Sequence, residues 1–326
     1  MIDQQRQQQQ QQQQLHFCSS FLFSLFTRMT SMRRIFGLLL ISLMGVNGLN
    51  YFPKSFVTAK INASVTLPCG ATINGDDVTW TFKGRDLDED YQDEVQKAGA
   101  NLLVKEVGRP LLGEYTCWSG GESASVYLLL EAEEEGELDS FLTCRAKSYN
   151  CAFSCTWVDN KYKVVRLGLD PHCREGGDSC SWVKSTVEQQ DGRLHFELRH
   201  SLSPYSEEST RLELTAEALE NNSLLRRTKT FYLRDIIQPD SPEIVQCQEV
   251  DHSLSVTVRP PSSWSTPHSF FGLEHEVEYE RKDDGKKGRS SLSLVPKKIS
   301  RLRVHSRDEL VQSAWSQWTE WTTVTC

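Results

Sequence analysis

Features that would indicate an enzyme, a nucleic-acid-binding protein or a membrane anchor are missing from this 326-residue sequence. It contains no H-E-x-x-H, no G-x-S-x-G and no glycine-rich phosphate loop, so we expect neither catalysis nor a cofactor. Lys and Arg number 36 against 44 Asp and Glu, and this net charge of −8 argues against nucleic acid as a partner. No apolar run of about 20 residues follows residue 48, so no membrane anchor is predicted.

The sequence also lacks any C-x-x-C pair, although it contains ten cysteines. This usage favours disulfides over a zinc site or thiol redox chemistry. Because disulfides persist in oxidising compartments, the chain is predicted to be secreted and extracellular.

The first 48 residues are predicted to be a glutamine-rich extension followed by a signal peptide. Residues 4–14 are nearly all Gln, a low-complexity run that cannot build a core. Arg33 and Arg34 then precede an apolar stretch over residues 35–46, with small residues near Gly48. We expect the mature chain to begin near Leu49; a genuine polar leader is the alternative.

Residues 49–131 have the pattern of an immunoglobulin-like sandwich. Cys69, Trp80 and the pair Tyr115 and Cys117 follow the order of an inter-sheet disulfide with a Trp packed on it and a tyrosine corner. We therefore expect a Cys69–Cys117 bridge. The acidic run over residues 131–137 is predicted to be a linker or exposed loop, because its like charges repel.

Two further sandwiches are predicted after this run, over residues 138–238 and 239–326. The first contains Cys144 and Cys155, expected to form a disulfide, with Trp157 two positions later. The second ends in the sequence Trp-Ser-Gln-Trp-Thr over residues 315–319. Together, in this order, these signatures resemble the paired β-sandwich module with which cytokine receptors bind helical cytokines.

The tryptophans near the C-terminus are expected to form a ladder with arginines. Trp315, Trp318 and Trp321 recur every three residues, which is one turn of an extended left-handed helix. Arg301 and Arg303 lie on one face of a predicted neighbouring strand, and their guanidinium groups could interleave with the indoles. A plain hydrophobic edge is the alternative.

The mature chain resembles the interleukin-12 subunit beta family over its whole length. The segments that carry the resemblance are residues 141–149, 231–240 and 264–269. The resemblance implies an all-β fold with one immunoglobulin-like sandwich followed by two fibronectin type III sandwiches. It implies a secreted, non-enzymatic cytokine subunit that binds a four-helix alpha subunit of interleukin-12 alpha or interleukin-23 alpha type. Cell-surface cytokine receptors are the further partners that it implies.

The resemblance also implies where the alpha subunit binds, at the elbow between the second and third sandwiches. By position, the contact residues would be Tyr149, Glu207, Asp308, Leu310 and Val311. Asp308 would receive an arginine of the partner; the alternative is that it caps its own turn or pairs with Arg307. Leu310 and Val311 are apolar where the family has aromatic residues.

The cysteine that tethers the alpha chain in the family would lie near Ser203, but this chain has no cysteine between Cys180 and Cys247. Without Cys18 the cysteine count is odd, so one free thiol is expected, with intermolecular pairing as its consequence. A local Cys173–Cys180 bridge is expected. The pairing of Cys151, Cys247 and Cys326 stays open, and so does a homodimer.

Two surface features complete the sequence-based expectations. Asn62 and Asn221 match the N-glycosylation acceptor pattern. Residues 286–289 form a basic hairpin tip that could contact a sulfated glycan, although Asp283 and Asp284 dilute its charge and a solvated turn is the alternative. A soluble decoy or carrier receptor, and an immunoglobulin-type adhesion protein, are the competing functions.

Overall fold

The chain is all-β, as the sequence predicts. The computed structural model describes residues 49, 51–70, 77–87, 91, 93–133, 136–176, 179–185, 187–188, 193–205 and 209–324. Short 3-10 turns lie at Arg109–Leu111, Leu138–Ser140, Pro171–Glu175 and Leu233–Ile236. No helix in the described part of the chain is long and apolar enough to cross a membrane.

The first sandwich packs two sheets around a disulfide. Its strands are β1 (Phe56–Ala59), β2 (Val65–Leu67), β3 (Thr79–Phe82), β4 (Arg85–Asp86), β5 (Val95–Ala98), β6 (Asn101–Val104), β7 (Gly113–Ser119) and β8 (Glu122–Glu131). One sheet has the order β2-β6-β5, and β8-β7-β3-β4 belong to the other, where β1 pairs with β8. Cys69 and Cys117 are joined by a disulfide, and Trp80 is buried in the same core. The Tyr115 hydroxyl donates to the Leu111 carbonyl at 2.7 Å, which makes a tyrosine corner.

The second sandwich has the largest core cluster. Its strands are β9 (Leu142–Arg145), β10 (Ala152–Trp157), β11 (Val164–Gly168), β12 (Val183–Lys184), β13 (Val187–Glu188), β14 (Leu194–Arg199), β15 (Leu212–Glu220) and β16 (Ser223–Phe231). The two sheets have the orders β13-β14-β10-β9 and β12-β11-β15-β16. Cys144 lies opposite Cys155 in the β9–β10 pair, and a disulfide joins them beside buried Trp157.

The third sandwich consists of β17 (Glu243–Val250), β18 (Ser253–Arg259), β19 (Leu273–Arg281), β20 (Lys287–Ser290), β21 (Leu294–Pro296), β22 (Ile299–Asp308) and β23 (Thr322–Thr323). Its sheets have the orders β17-β18-β21 and β20-β19-β22-β23. Leu254, Val277 and Leu302 are among the alternating apolar residues that fill the space between them.

The first two sandwiches share one sheet. The C-terminal end of β8 pairs in parallel with β16, Leu130 opposite Ser223 and Glu131 opposite Leu224. Leu129, Leu219 and Leu224 pack together beneath this pairing. The acidic run was expected to be a linker or loop from residue 131, but Glu131 belongs to this strand.

A second set of contacts spans the same junction. Glu217 is fully buried on β15, and each of its carboxylate oxygens accepts a hydrogen bond at 2.7 Å, one from Arg166 and one from Arg226. The guanidinium of Arg166 lies 4.2 Å from the ring centroids of both Phe52 and Trp182. These contacts hold the segment that leads into the first sandwich against the second.

The predicted free thiol is not found among the described residues. Cys173 and Cys180 form the expected local bridge. Cys151 and Cys247 are also in disulfides, and the described part of the chain contains no free cysteine. Cys18, which the odd count left out, lies outside the described residues. Cys326 lies outside the described residues.

Candidate partner-binding elbow and the tryptophan ladder

The third sandwich carries a row of carboxylates beside a row of cations on the outer face of β19 and β22. The antiparallel register places each Glu of β19 opposite a cationic or titratable residue of β22, in the pairs Glu280–Arg301, Glu278–Arg303, Glu276–His305 and Glu274–Arg307. The side chains are hydrogen bonded in all four pairs. Burial raises the pKa of Glu278, but the hydrogen bonds from Arg303 and Arg289 outweigh it and bring that pKa below its usual value.

The C-terminal tryptophans insert between these cations and form a ladder. The stacking order along the ladder is Arg301, Trp321, Arg303, Trp318, His305, Trp315 and Arg307. The guanidinium carbons lie 4.6–4.7 Å from the adjacent indole centroids. The imidazole of His305 is closer, at 3.6 Å from Trp318 and 4.1 Å from Trp315. Arg301 and Arg303 were predicted for this role from the sequence. His305 and Arg307 continue the same alternation on β22 but were not predicted to stack.

An aromatic cluster closes the elbow between the second and third sandwiches. Tyr149, in the β9–β10 turn, stacks on Phe271 at 5.4 Å and lies edge-on to Trp264 at 6.0 Å. Tyr205 contacts Phe270 at 5.5 Å and Phe271 at 5.6 Å. Neither Tyr205 nor Phe270 was predicted from the sequence. The adjacent aromatic residues at 270–271, next to segment 264–269, were the feature that could have indicated this cluster.

Asp308 lies at the bottom of this elbow and is only 3% exposed. Its Oδ1 accepts hydrogen bonds from the backbone amides of Leu310 and Val311 at 2.8 and 2.9 Å. Its Oδ2 accepts one from the Tyr149 hydroxyl at 3.1 Å. Asp308 therefore caps its own turn and also joins the two sandwiches.

The turn that Asp308 caps exposes apolar surface at the elbow. We call residues 309–314 the elbow loop. Leu310 at its tip is 89% exposed, and Val311 is half-buried. The Glu309 amide donates to the Gly272 carbonyl at 3.2 Å, so the elbow loop lies beside the segment that carries Phe270, which is 55% exposed. Leu310 and Phe270 are therefore two exposed apolar side chains on neighbouring segments of the elbow.

The elbow is held by contacts across the domain boundary as well. Arg145 donates to Asp240 at 2.7 Å, and Lys147 lies 3.3 Å from the same carboxylate. The side-chain amide of Gln238 donates to the Trp315 carbonyl at 2.8 Å. The ladder and the elbow are therefore parts of one connected structure.

The remaining sequence-based candidates are placed as follows. Glu207 lies outside the described residues. Asn62 and Asn221 are exposed turn residues with φ values of 61° and 50°. At the basic tip, Lys286 lies 3.3 Å from Asp284, and Lys287 lies 5.3 Å from the Trp321 ring centroid. No cluster of three or more metal-ligating side chains occurs among the described residues.

A disulfide-stapled sandwich joined through an elbow to a second sandwich with a tryptophan ladder defines a chain of the cytokine-receptor type. The model of the cytokine interleukin-12p40 C-terminus matches residues 139–220, and the model of the immunoglobulin domain matches residues 55–119.

Full-length relatives narrow this class to one family. Interleukin-12 subunit beta of Felis catus is 31% identical over 292 residues, covering 77% of this chain and 84% of the relative. The proteins of that name from Bubalus bubalis and Bos taurus are 33% and 32% identical and cover 78% of this chain and 84% of their own length. The chain belongs to the interleukin-12 subunit beta family and is a cytokine subunit.

Proposed function

We propose that this chain is secreted and pairs with a four-helix alpha subunit of interleukin-12 alpha or interleukin-23 alpha type. The elbow between the second and third sandwiches binds the alpha subunit, and the pair is presented to cell-surface cytokine receptors. The role is binding, without catalysis.

The observation that carries the proposal is the exposed apolar surface at a rigid elbow. Leu310 and Phe270 are exposed on adjacent segments, while Asp308 and Tyr149 hold those segments between two sandwiches. An apolar anchor on a preorganised support loses little conformational entropy on binding, which favours a tight contact. The apolar faces of the helices in a four-helix subunit pack in its own core, so the matching surface would be an apolar patch on the outside of one helix.

Asp308 contributes mainly by shaping the elbow loop. Its two oxygens already accept three hydrogen bonds. A carboxylate has roughly four acceptor sites, so a partner arginine could still add one bond if the Tyr149 hydroxyl is retained. An Asp308→Ala variant would remove the support of the elbow loop as well as the charge, so it cannot separate the two contributions.

Leu310 provides the cleaner test because its exposed side chain does not support the fold. The Leu310→Asp variant should bind a co-expressed alpha subunit at least about 10-fold more weakly, since it places an unpaired charge in an apolar contact. Val250→Asp is the matched control, as Val250 is 44% exposed in the same sandwich and lies in the β17–β18 hairpin. Equal heterodimer yield and affinity for both variants would rule out the elbow as the binding surface.

Co-expression also separates a subunit from a decoy receptor. A subunit should be secreted together with the alpha chain and should co-purify with it. Reducing and non-reducing gels of the purified pair then show whether a disulfide joins the two chains. A decoy would capture only alpha-containing cytokine added from outside, and an adhesion protein would bind neither. N-terminal sequencing of the secreted material tests the expected start near Leu49.

A further inference from the structure

The ladder has one rung that can change its charge near neutral pH. Three of its four cation positions are occupied by arginine, which stays protonated at any physiological pH. The fourth position is occupied by His305, and a histidine side chain has an ordinary pKa of about 6.5. His305 is 7% exposed and lies between Trp315 and Trp318, so a change in its charge acts directly on both indoles.

The charged groups around His305 act on it in opposite directions. Its Nε2 lies 3.0 Å from a carboxylate oxygen of Glu276 on β19, and Arg289 of β20 lies 3.5 Å from the same carboxylate. Arg303 and Arg307 flank it on β22. Glu276 therefore favours the imidazolium, whereas the neighbouring guanidinium groups disfavour it.

This rung is attached to the elbow loop through a short chain of contacts. Trp315, which stacks on His305, directly follows the elbow loop. The next residue, Ser316, exchanges hydrogen bonds with Ser306, its amide donating at 2.8 Å and its hydroxyl accepting at 3.0 Å. Ser306 in turn lies two residues before Asp308. A shift of Trp315 therefore moves one end of the elbow loop while Asp308 holds the other.

We propose that His305 is a positioning residue that makes the elbow loop, and with it the binding of the partner, respond to pH. Neutral imidazole stacks between the two indoles and fixes Trp315. Protonation places a charge in this buried slot, loosens Trp315 and weakens the hold on Leu310 and Val311. The inference rests on the proposed function, because it concerns regulation of the same elbow.

The direction of the pH effect follows from the environment of His305. Burial lowers its pKa, the Glu276 carboxylate partly counteracts this, and Arg289 and Arg303 lower it further, so the folded pKa lies below the ordinary value. A histidine with a depressed folded pKa contributes stability that is complete above its unfolded pKa of about 6.5 and is lost as the pH falls through the folded pKa. The elbow should therefore be firm at pH 7.4 and should loosen as the pH falls below about 6.5 towards the lower folded value.

The test compares the free chain with its His305→Arg and His305→Gln variants. Hydrogen exchange of the Leu310 and Val311 amides, corrected for intrinsic rates, reports on the elbow loop, because Asp308 accepts from both. In the native chain their protection should fall at least about threefold between pH 7.4 and 5.5. His305→Arg is charged at both pH values and His305→Gln at neither, so both should remove most of this change, with protection staying low in the Arg variant and high in the Gln variant. His252→Gln, at an exposed turn position, should retain it.

Affinity for the alpha subunit is measured over the same pH range. Binding by the native chain should weaken by about tenfold at pH 5.5, and binding by His305→Arg should change much less. Equal protection profiles in the native chain and His305→Arg would overturn the proposal, and so would an affinity that has the same pH dependence in both. Absence of binding at pH 7.4 contradicts the proposed function instead; the exchange profiles of the free chain then decide whether His305 controls the loop.

Discussion

At the residue scale, the hydroxyl of Tyr149 makes one of the contacts that join the two sides of the elbow. It comes from the second sandwich and donates to Asp308, which ends β22 in the third sandwich. Asp308 is buried, so an oxygen that loses its donor there is poorly compensated by water. The family resemblance implies that Asp308 binds an arginine of the partner. In the free chain, Asp308 instead accepts hydrogen bonds from within the chain itself.

A Tyr149→Phe variant should lower the free energy of unfolding by about 1–3 kcal/mol, because it leaves a buried carboxylate oxygen without its donor. Tyr205→Phe is the matched control. The Tyr205 hydroxyl donates to the Thr266 carbonyl at 3.0 Å in an exposed contact, so its loss should cost less than about 1 kcal/mol. Urea unfolding of both variants measures the difference. If both variants lose the same small amount of unfolding free energy, the backbone amides of Leu310 and Val311 alone satisfy the hydrogen-bonding capacity of Asp308.

At the element scale, β15 shows how burial decides what a salt bridge contributes. Glu217 and Glu213 lie four residues apart on this strand, and each pairs with arginine. The Glu217 side chain is fully buried between two guanidinium groups, whereas Glu213 pairs with an Arg174 side chain that is 62% exposed. The first pairing lies at the junction with the first sandwich, and the second faces solvent.

Replacing Glu217 by Gln should destabilise the chain by about 3–5 kcal/mol, since Arg166 and Arg226 would lose the buried charge that compensates them. The same change at Glu213 should cost less than about 1 kcal/mol because solvent screens that pair. Thermal unfolding of both variants checks the difference. Similar losses at the two positions would mean that water or other groups compensate the arginines at the junction.

The β9–β10 pair is the second element whose stability can be tested directly. The Cys144–Cys155 bridge joins two strands next to buried Trp157, so its removal should destabilise the second sandwich by about 2–5 kcal/mol. Secretion of a Cys144→Ser, Cys155→Ser double variant should fall accordingly when it is compared with the unmodified chain. Secretion at the normal level would show that the core supports this sandwich without the bridge.

At the scale of the whole molecule, the sequence predicted the sandwiches better than the contacts between them. Local patterns were enough for the Cys-Trp-Tyr-Cys signature of the first sandwich and for the spacing of Trp315, Trp318 and Trp321. The pairing of Leu130 with Ser223 depends on residues far apart in sequence, and no local periodicity encodes it. The place of His305 in the ladder was not predicted for a different reason. Alternation along β22 puts His305 on the same face as Arg303, but only the fold shows that Trp315 and Trp318 stack on it.

Asp240 lies at the boundary between the second and third sandwiches, and we expect it to help fix the angle between them. It accepts hydrogen bonds from Arg145 and from Ser263, and Lys147 lies close to it. Burial raises the pKa of Asp240, but the bonds from Ser263, Arg145 and Lys147 outweigh it, so the pKa lies below its usual value. The stabilisation is present above the unfolded pKa of about 3.9 and is lost only as the pH falls through the lower folded value. This contact therefore stays intact between pH 7.4 and 5.5.

Asp240→Asn should loosen the elbow without touching the partner surface. Because the side chains of Arg145 and Asp240 are each about one-third exposed, solvent screening limits the loss to about 1 kcal/mol. If the alpha subunit binds one fixed angle of the elbow, that loss appears as roughly fivefold weaker binding, together with a larger radius of gyration in small-angle X-ray scattering. Asp283→Asn, in the exposed β19–β20 turn, should change neither quantity. Unchanged scattering and affinity in Asp240→Asn would mean that the Tyr149, Trp264 and Phe271 cluster alone sets the angle.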